Sequence, residues 1–171
     1  MRCSLMSHPF LTLEATLKTR TVVLSVLTLV VGVTICFAAA NPTLGSWKLN
    51  EAKSKLIPGM PKNLTVVYAA ADGDIKGTID GVDGQGKPTH NEWTGKFDGK
   101  DYPVTGDPTS DTRAIKQIDD HNYALTVKKG GKVTMTGKAV VSADGKTRTV
   151  TVSGTDAAGK KITATSVYDK Q

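Results

Sequence analysis

A histidine and a glutamate stand two residues apart in "THNEWTGKF", residues 89–97. Such a pair can donate two ligands to a metal ion or act as an acid and base in catalysis. In an alternating strand, His90 and Glu92 share one face, while Trp93 and Phe97 point to the other. Without a third ligand, the pattern favours a solvent-facing strand with the aromatic rings inside.

A second histidine follows two aspartates in "IDDHNY", residues 118–123. Asp119 or Asp120 could orient His121 for proton transfer. The same composition, placed just before an alternating strand, is typical of a turn. The chain also lacks a Gly-x-Ser-x-Gly motif, so the sequence predicts no catalytic residue and a protein that is not an enzyme.

Aspartate and glycine are concentrated in "DGDIKGTIDGVDGQGK", residues 72–87. Calcium loops use aspartates at alternating positions, but they also need a closing glutamate that is missing here. Two hairpin turns explain the stretch better. We therefore expect no metal site and no cofactor.

Turn signals recur along the chain, and the runs between them have strand length. Asp-Gly and Gly-Gly pairs supply the positive φ angles of tight hairpins. "YALTVKK" (123–129) and "KVTMTGKAVV" (132–141) alternate between apolar and polar residues with a period of two. The pattern predicts an all-β fold, an antiparallel up-and-down barrel of about eight to ten strands.

Two segments interrupt this pattern. A short helical turn is expected near residues 51–55, before a proline-rich stretch. "GKDYPVTGDPTSD", residues 99–111, is expected to be the longest irregular connection. Tyr102 within it would either line the barrel mouth or cover the core.

The N-terminal segment resembles a secretory signal. "TVVLSVLTLVVGVTICF", residues 21–37, is uncharged, follows several basic residues and precedes "AAAN". A basic region, an apolar region and small residues at the cleavage site define such a leader. We expect a signal peptide over residues 1–40 and one domain over 41–171, exported to the periplasm or secreted, without stable membrane insertion after cleavage.

The charge and cysteine content narrow the partners. The whole chain has 22 basic and 16 acidic residues, which gives a net charge of +6. Three of the basic residues and one of the acidic residues lie in the leader, so the net charge of the mature domain is +4. The lysines are scattered, which argues against nucleic-acid binding. Cys3 and Cys36 both leave with the leader, so the mature domain must be stable without a disulfide.

The stretch "GSWKLN", at the start of the first predicted strand, resembles the opening motif of the lipocalins and the first strand of fatty-acid-binding proteins. "DGKDYPVTGDP", "VVSADGKTRTVTVSGTD" and "VYDKQ" are similar to exported bacterial lipocalin-like proteins of unassigned function. The resemblance implies a calycin-type barrel with Trp47 closing one end. Lipocalins commonly pack an arginine over this tryptophan, but neither Arg113 nor Arg148 lies in a stretch that matches.

The resemblance implies a protein that binds a small hydrophobic or amphipathic ligand inside the barrel. The alternative is a structural or interaction module of the cell envelope with a packed interior and an active outer surface. The candidate interior residues are the large apolar side chains of the mature domain: Trp47, Tyr68, Trp93, Phe97, Tyr102, Tyr123 and Met135. For Trp47, packing in the core is favoured over ligand contact.

Overall fold

The computed structural model describes residues 41–155 and 159–171. The predicted leader, residues 1–40, lies outside the described residues. The signal peptide, the cleavage before Asn41 and the export of the chain therefore stay predictions.

The described chain is a closed antiparallel barrel of ten strands, in which each strand pairs with its sequence neighbours and β1 pairs with β10. This confirms the all-β up-and-down barrel. The strands are β1 (Gly45–Leu49), β2 (Lys62–Ala71), β3 (Asp74–Val82), β4 (Pro88–Gly95), β5 (Tyr102–Thr105), β6 (Thr112–Gln117), β7 (Asn122–Lys129), β8 (Lys132–Val141), β9 (Thr147–Thr155) and β10 (Lys161–Lys170).

Turn chemistry explains the hairpins. Asp72 and Gly73 between β2 and β3 have φ angles of 46° and 85°, and Gly130 and Gly131 between β7 and β8 have φ angles of 56° and 73°. Two successive positive φ angles match the right-handed twist of the strands that they join. Asp83 closes the β3–β4 turn, where its Oδ1 accepts from two backbone amides at 2.9 Å.

The prediction that residues 99–111 form the longest irregular connection is wrong. The stretch 99–111 contains β5, which pairs with β4 and β6 through Trp93↔Val104 and Tyr102↔Arg113. The proline and glycines shorten this strand without abolishing it. The longest connection instead runs over residues 50–61 and includes a 3-10 helix, Glu51–Lys53, close to the predicted helical turn.

Because the hairpins alternate, the connections fall at two ends of the barrel. The open end includes the connections β1–β2, β3–β4, β5–β6 and β7–β8, residues 50–61, 83–87, 106–111 and 130–131. The tryptophan end is formed by the opposite hairpins and by residues 41–44, which lead into β1. Trp47 lies near the tryptophan end and is fully buried.

Candidate ligand cavity in the barrel

Side chains do not fill the barrel. A cavity of about 250 Å³ lies inside it and reaches the connections at the open end. Most of the lining is apolar and comes from strands on all sides of the barrel. These residues include Leu56, Ile57, Met60, Val66, Ile79, Ile115, Leu125, Val127, Val150 and Val152.

The structure divides the seven candidate interior residues into three groups. Four line the cavity: Tyr68, Phe97, Tyr123 and Met135. Trp47 and Trp93 are buried in the core outside the lining. Tyr102 lies outside the lining and packs against the core, as one of its two predicted placements had it, with its ring against Gly95 and its hydroxyl donating to Asp98 Oδ2 at 3.1 Å. Ligand contact by any of them stays a prediction.

Trp47 forms part of the packed tryptophan end. Its indole Nε1 donates to the carbonyl of Thr43 at 2.8 Å, which satisfies the only polar group of the ring. The ammonium of Lys170 lies 5.0 Å from the ring centroid. A lysine of the last strand thus places a positive charge next to the tryptophan ring.

Aromatic rings connect the cavity wall to the core. Phe97 lies 5.3 Å from Tyr123 and 6.0 Å from Tyr68, and Tyr68 lies 6.2 Å from Trp93, measured between ring centroids. Edge-on arrangements at these distances are favourable. The cluster thus joins the aromatic side of the cavity to the buried ring of Trp93.

Arg148 is a buried cation inside the barrel. The residue is 7% exposed, and its Nη2 donates to the hydroxyl of Tyr68 at 3.1 Å. Its guanidinium carbon lies 5.0 Å from the Tyr68 ring centroid and 5.9 Å from that of Tyr168. Within the described residues, no carboxylate forms an ion pair with it.

Arg113 places a second guanidinium in the same cavity. Its side chain is 12% exposed, and its Nη2 lies 3.7 Å from Asp107 Oδ2. Burial lowers the pKa of Arg113, the charge of Arg148 adds to the lowering, and Asp107 opposes it.

Asp107 is held in place by its own loop. It accepts from the hydroxyls of Ser110 and Thr109 at 2.7 Å and from the Thr109 amide at 2.8 Å. Burial alone would raise the pKa of Asp107, but these hydrogen bonds and Arg113 outweigh it and hold the pKa below its usual value. The carboxylate is thus charged and positioned.

Several buried polar atoms of the lining have no partner within the described protein. They are Arg148 Nε, Asn91 Oδ1 and Thr43 Oγ1. Buried polar groups without partners are rare, because their desolvation is not compensated. All three residues face the cavity, so a polar group in it would have hydrogen-bond partners on the wall.

Sequence reasoning missed both arginines as cavity residues, although a signal was present. In "TRTVTV", Arg148 is in phase with the inward-facing Val150 and Val152, and in "TRAI", Arg113 is in phase with Ile115. Period-two alternation puts such residues on one face of a strand. A charged residue in phase with the apolar residues of a strand is the pattern that indicates these two arginines as cavity residues.

The predicted pair His90 and Glu92 lies on the outer face of β4. The Nδ1 of His90 is 2.6 Å from Asp80 Oδ1, and its Nε2 is 3.7 Å from Glu92 Oε1. Lys76 Nζ lies 2.8 Å from the same Glu92 oxygen. These side chains form an exposed charge network, as the strand pattern predicts.

The second histidine stretch is a turn between β6 and β7. Asp119 Oδ1 accepts from the backbone amides of His121 and Asn122 at 2.9 and 2.8 Å. The imidazole Nδ1 of His121 has no partner among the described residues. Asp119 therefore shapes the turn and does not orient the imidazole.

The described part of the chain contains neither a side-chain cluster suited to a metal ion nor a helix suited to spanning a membrane. No group of three or more His, Cys, Asp or Glu side chains there is arranged so that it could hold a metal ion. None of the helices in residues 41–155 and 159–171 has the length and apolarity needed to cross a bilayer.

The chain was also compared with known proteins. No protein-family model matches it, and no curated protein matches it significantly.

Proposed function

We propose that this chain is an exported lipocalin-like protein that binds one small hydrophobic or amphipathic molecule inside its barrel. The observation that carries the proposal is the cavity of about 250 Å³, walled by aliphatic and aromatic side chains. Small-molecule sites are concave and mostly apolar, with a few polar groups that orient the ligand. The barrel interior has this composition.

Cavity size bears on the ligand. Pockets for drug-sized ligands occupy about 300 to 1,000 Å³, so this one is small. The proposal therefore concerns a short or single-ring molecule.

The cavity also bears on the alternative, an envelope module that acts through its outer surface. That hypothesis assumes that side chains fill the interior of the barrel. The space between Leu125, Val152 and the aromatic cluster is inconsistent with this premise. Ligand binding is accordingly the better supported function.

Native mass spectrometry of the chain purified from its own producer tests the proposal. An additional mass that is lost on denaturation would support a bound small molecule and identify its class. The polypeptide mass tests in the same spectrum whether the mature chain begins at Asn41. A bare polypeptide that also fails to take up added apolar molecules would overturn ligand binding.

Two matched tryptophan substitutions localise the site. Ala164 lines the cavity, so Ala164→Trp should fill it and abolish uptake of an apolar probe. Ala124 is exposed on β7, so Ala124→Trp adds the same ring outside the barrel and should leave uptake unchanged. Equal loss in both variants would contradict binding in the interior.

A further inference from the structure

The outer wall of the barrel formed by β6 to β10 carries lysines that no acidic residue neutralises. Lys116 of β6 and Lys138 of β8 face outward, because each is out of phase with a residue that lines the cavity, Ile115 and Ala139. Both lysines are exposed. Within the described residues, no carboxylate forms an ion pair with either ammonium. The two lysines can therefore bind an anion from outside the protein.

Two acidic residues beside this wall already have partners. Asp98 is joined to Lys116 by an isolated β-bridge, but its carboxylate accepts from the amide of Lys100 at 3.0 Å and lies 3.6 Å from the ammonium of that residue. Asp101 lies 2.6 Å from the ammonium of Lys128. Lys116 and Lys138 thus stay unpaired although carboxylates are near.

The wall formed by β3 and β4 differs, because its charges are balanced. Lys76 lies 2.8 Å from Glu92, and His90 lies 2.6 Å from Asp80. Each charge there has a partner on the neighbouring strand. The barrel therefore has one neutralised wall and one basic wall, the latter formed by β6 to β10.

Strand pairing sets the spacing of the two lysines, although they are far apart in the sequence. Lys116 is paired with Ala124, and Ala124 is paired with Lys138, so the three residues form one row across β6, β7 and β8. Neighbouring strands are about 4.8 Å apart, which puts the two lysine Cα atoms roughly 10 Å apart. Ala124 is small and exposed. An anionic group can therefore lie over Ala124 with an ammonium on each side.

Hydroxyl groups adjoin this lysine row on the same face. The row continues into Thr151 and Thr165, whose hydroxyl oxygens are 3.3 Å apart. The neighbouring row contains a hydroxyl residue on each of four strands: Thr126, Thr136, Ser153 and Thr163. A hydroxyl that hydrogen-bonds to its neighbour can still donate to or accept from a ligand. The basic wall thus presents more hydroxyl groups than unpaired charges.

This composition decides between the polyanions that the wall could bind. A polysaccharide of uronic acids carries several hydroxyl groups for each carboxylate, as the wall carries several for each lysine. Nucleic acids carry one phosphate per nucleotide, and their unpaired bases stack on aromatic side chains. In the described residues of β6 to β10, the aromatic side chains are Tyr123 and Tyr168, and both line the cavity. The wall therefore matches an acidic polysaccharide better than a nucleic acid.

We propose that the basic wall is a binding surface for a carboxylated polysaccharide, with one carboxylate over Ala124 between Lys116 and Lys138 and sugar hydroxyls against the adjoining threonines. This goes beyond the proposed function, because it uses the outer surface and does not depend on the cavity. Exposed ion pairs are individually weak. The affinity therefore comes from several contacts made along one polymer chain.

Biolayer interferometry with polygalacturonate on the sensor tests the proposal, using the chain produced from its full-length coding sequence. Fully methyl-esterified polygalacturonate has the same backbone without the charges and is the ligand control. The wild-type protein should bind polygalacturonate at least about fivefold more tightly than the ester. Added salt should weaken this binding, because it screens exposed charges.

A matched pair of substitutions at Ala124 locates the site. Ala124→Glu puts a carboxylate between the two lysines and should weaken binding at least about tenfold, because it pairs with the lysines and repels the polymer. Ala124→Gln has the same size without the charge and should stay within about twofold of the wild type. Equal affinities of the two variants would refute the lysine row as the binding site.

Removing either lysine should act in the same direction. Lys116→Gln and Lys138→Gln should each weaken binding by about two- to fivefold, the range for exposed ion pairs. Lys87→Gln removes an exposed lysine of the β3–β4 turn and should have no effect. Equal losses in all three variants would mean that net charge alone governs binding, which would overturn the proposal.

The remaining outcomes separate this surface from other partners and from the cavity. Tighter binding to duplex DNA or to phosphatidylglycerol vesicles than to polygalacturonate, at equal concentration of charge, would overturn the proposal. Equal binding of polygalacturonate and its ester would do the same. Ala164→Trp should abolish uptake of the apolar probe and leave polymer binding unchanged, so a failure of the cavity and a failure of the wall are distinguishable.

Discussion

The ammonium of Lys170 lies 5.0 Å from the ring centroid of Trp47, so the last residue of β10 covers the aromatic anchor of β1. The same ammonium donates to the carbonyl of Pro42 at 3.1 Å. Lys170 of β10 thus contacts both Trp47 of β1 and Pro42 in the segment that leads into β1.

Removing Lys170 should destabilise this closure modestly. A cation–π contact at a partly exposed site contributes about 0.5 to 1 kcal/mol, so Lys170→Met should lower the free energy of unfolding by about that amount. Urea unfolding monitored by circular dichroism measures it. Lys161→Met, at the exposed start of β10, is the control and should have no effect. Identical curves for both variants would show that the contact is not stabilising.

Trp47→Ala should cost much more. The side chain is completely buried, and large aromatic-to-alanine changes in a core cost about 3 to 5 kcal/mol. The melting temperature should therefore fall by far more than a degree or two. Val133→Ala is a suitable control, because Val133 is 56% exposed. A small shift for Trp47→Ala would contradict its role as the anchor.

Gly77 should be intolerant of a side chain for a purely steric reason. Its φ is not in the left-handed region, but a Cβ built on it would overlap the indole Nε1 of Trp93. Gly77→Ala should cost about 1 to 3 kcal/mol, as overpacked cores do. The loss should shrink in a Trp93→Phe background, which a double-mutant cycle by urea unfolding would measure. Additive effects would mean that the two residues do not compete for space.

His90 should titrate at a higher pH than an ordinary histidine. The hydrogen bond with Asp80 is the main cause of its raised pKa, which burial opposes and the charges of Asp80 and Glu92 support. A raised pKa in the folded state means that the pair stabilises the fold fully below the usual histidine pKa. That contribution disappears as the pH rises through the raised value.

NMR titration of the His90 ring measures this pKa directly. Asp80→Asn removes the carboxylate and should lower the pKa of His90 toward its usual value. Asp74→Asn, at the far end of the same strand, should not. An unchanged His90 pKa in Asp80→Asn would show that the observed contact does not hold in solution.

The strands could be read from the sequence because local rules and the overall fold agree. Asp-Gly and Gly-Gly turns separate runs in which inward residues such as Tyr123, Leu125 and Val127 alternate with polar ones. β5 was missed because Pro103 and the flanking glycines signal a loop, whereas its two neighbours supply the pairing that makes it a strand. Tertiary context overrode local propensity there.

The cavity could not be read in the same way. The volume between side chains depends on how ten strands tilt and close, and no local pattern contains that information. Tyr68 and Phe97 were expected inside and do line it, but Tyr102 packs against Gly95 instead. Arg113 and Arg148 interrupt the apolar residues on the inward faces of their strands. Such a charge indicates a cavity residue only when it is known that the inward faces enclose a space.

The short strand β5 has a consequence for motion in this barrel. It is held by two registered residue pairs on each side, whereas β9 and β10 share nine. Regions with few such bonds open locally at lower free energy than the whole molecule, and their amide hydrogens exchange first. Arg113 is paired with Tyr102 of this strand. Hydrogen exchange should therefore find the side wall at β5 to be the fastest part of the barrel, which would let solvent and small solutes reach Arg113 without passing through the open end.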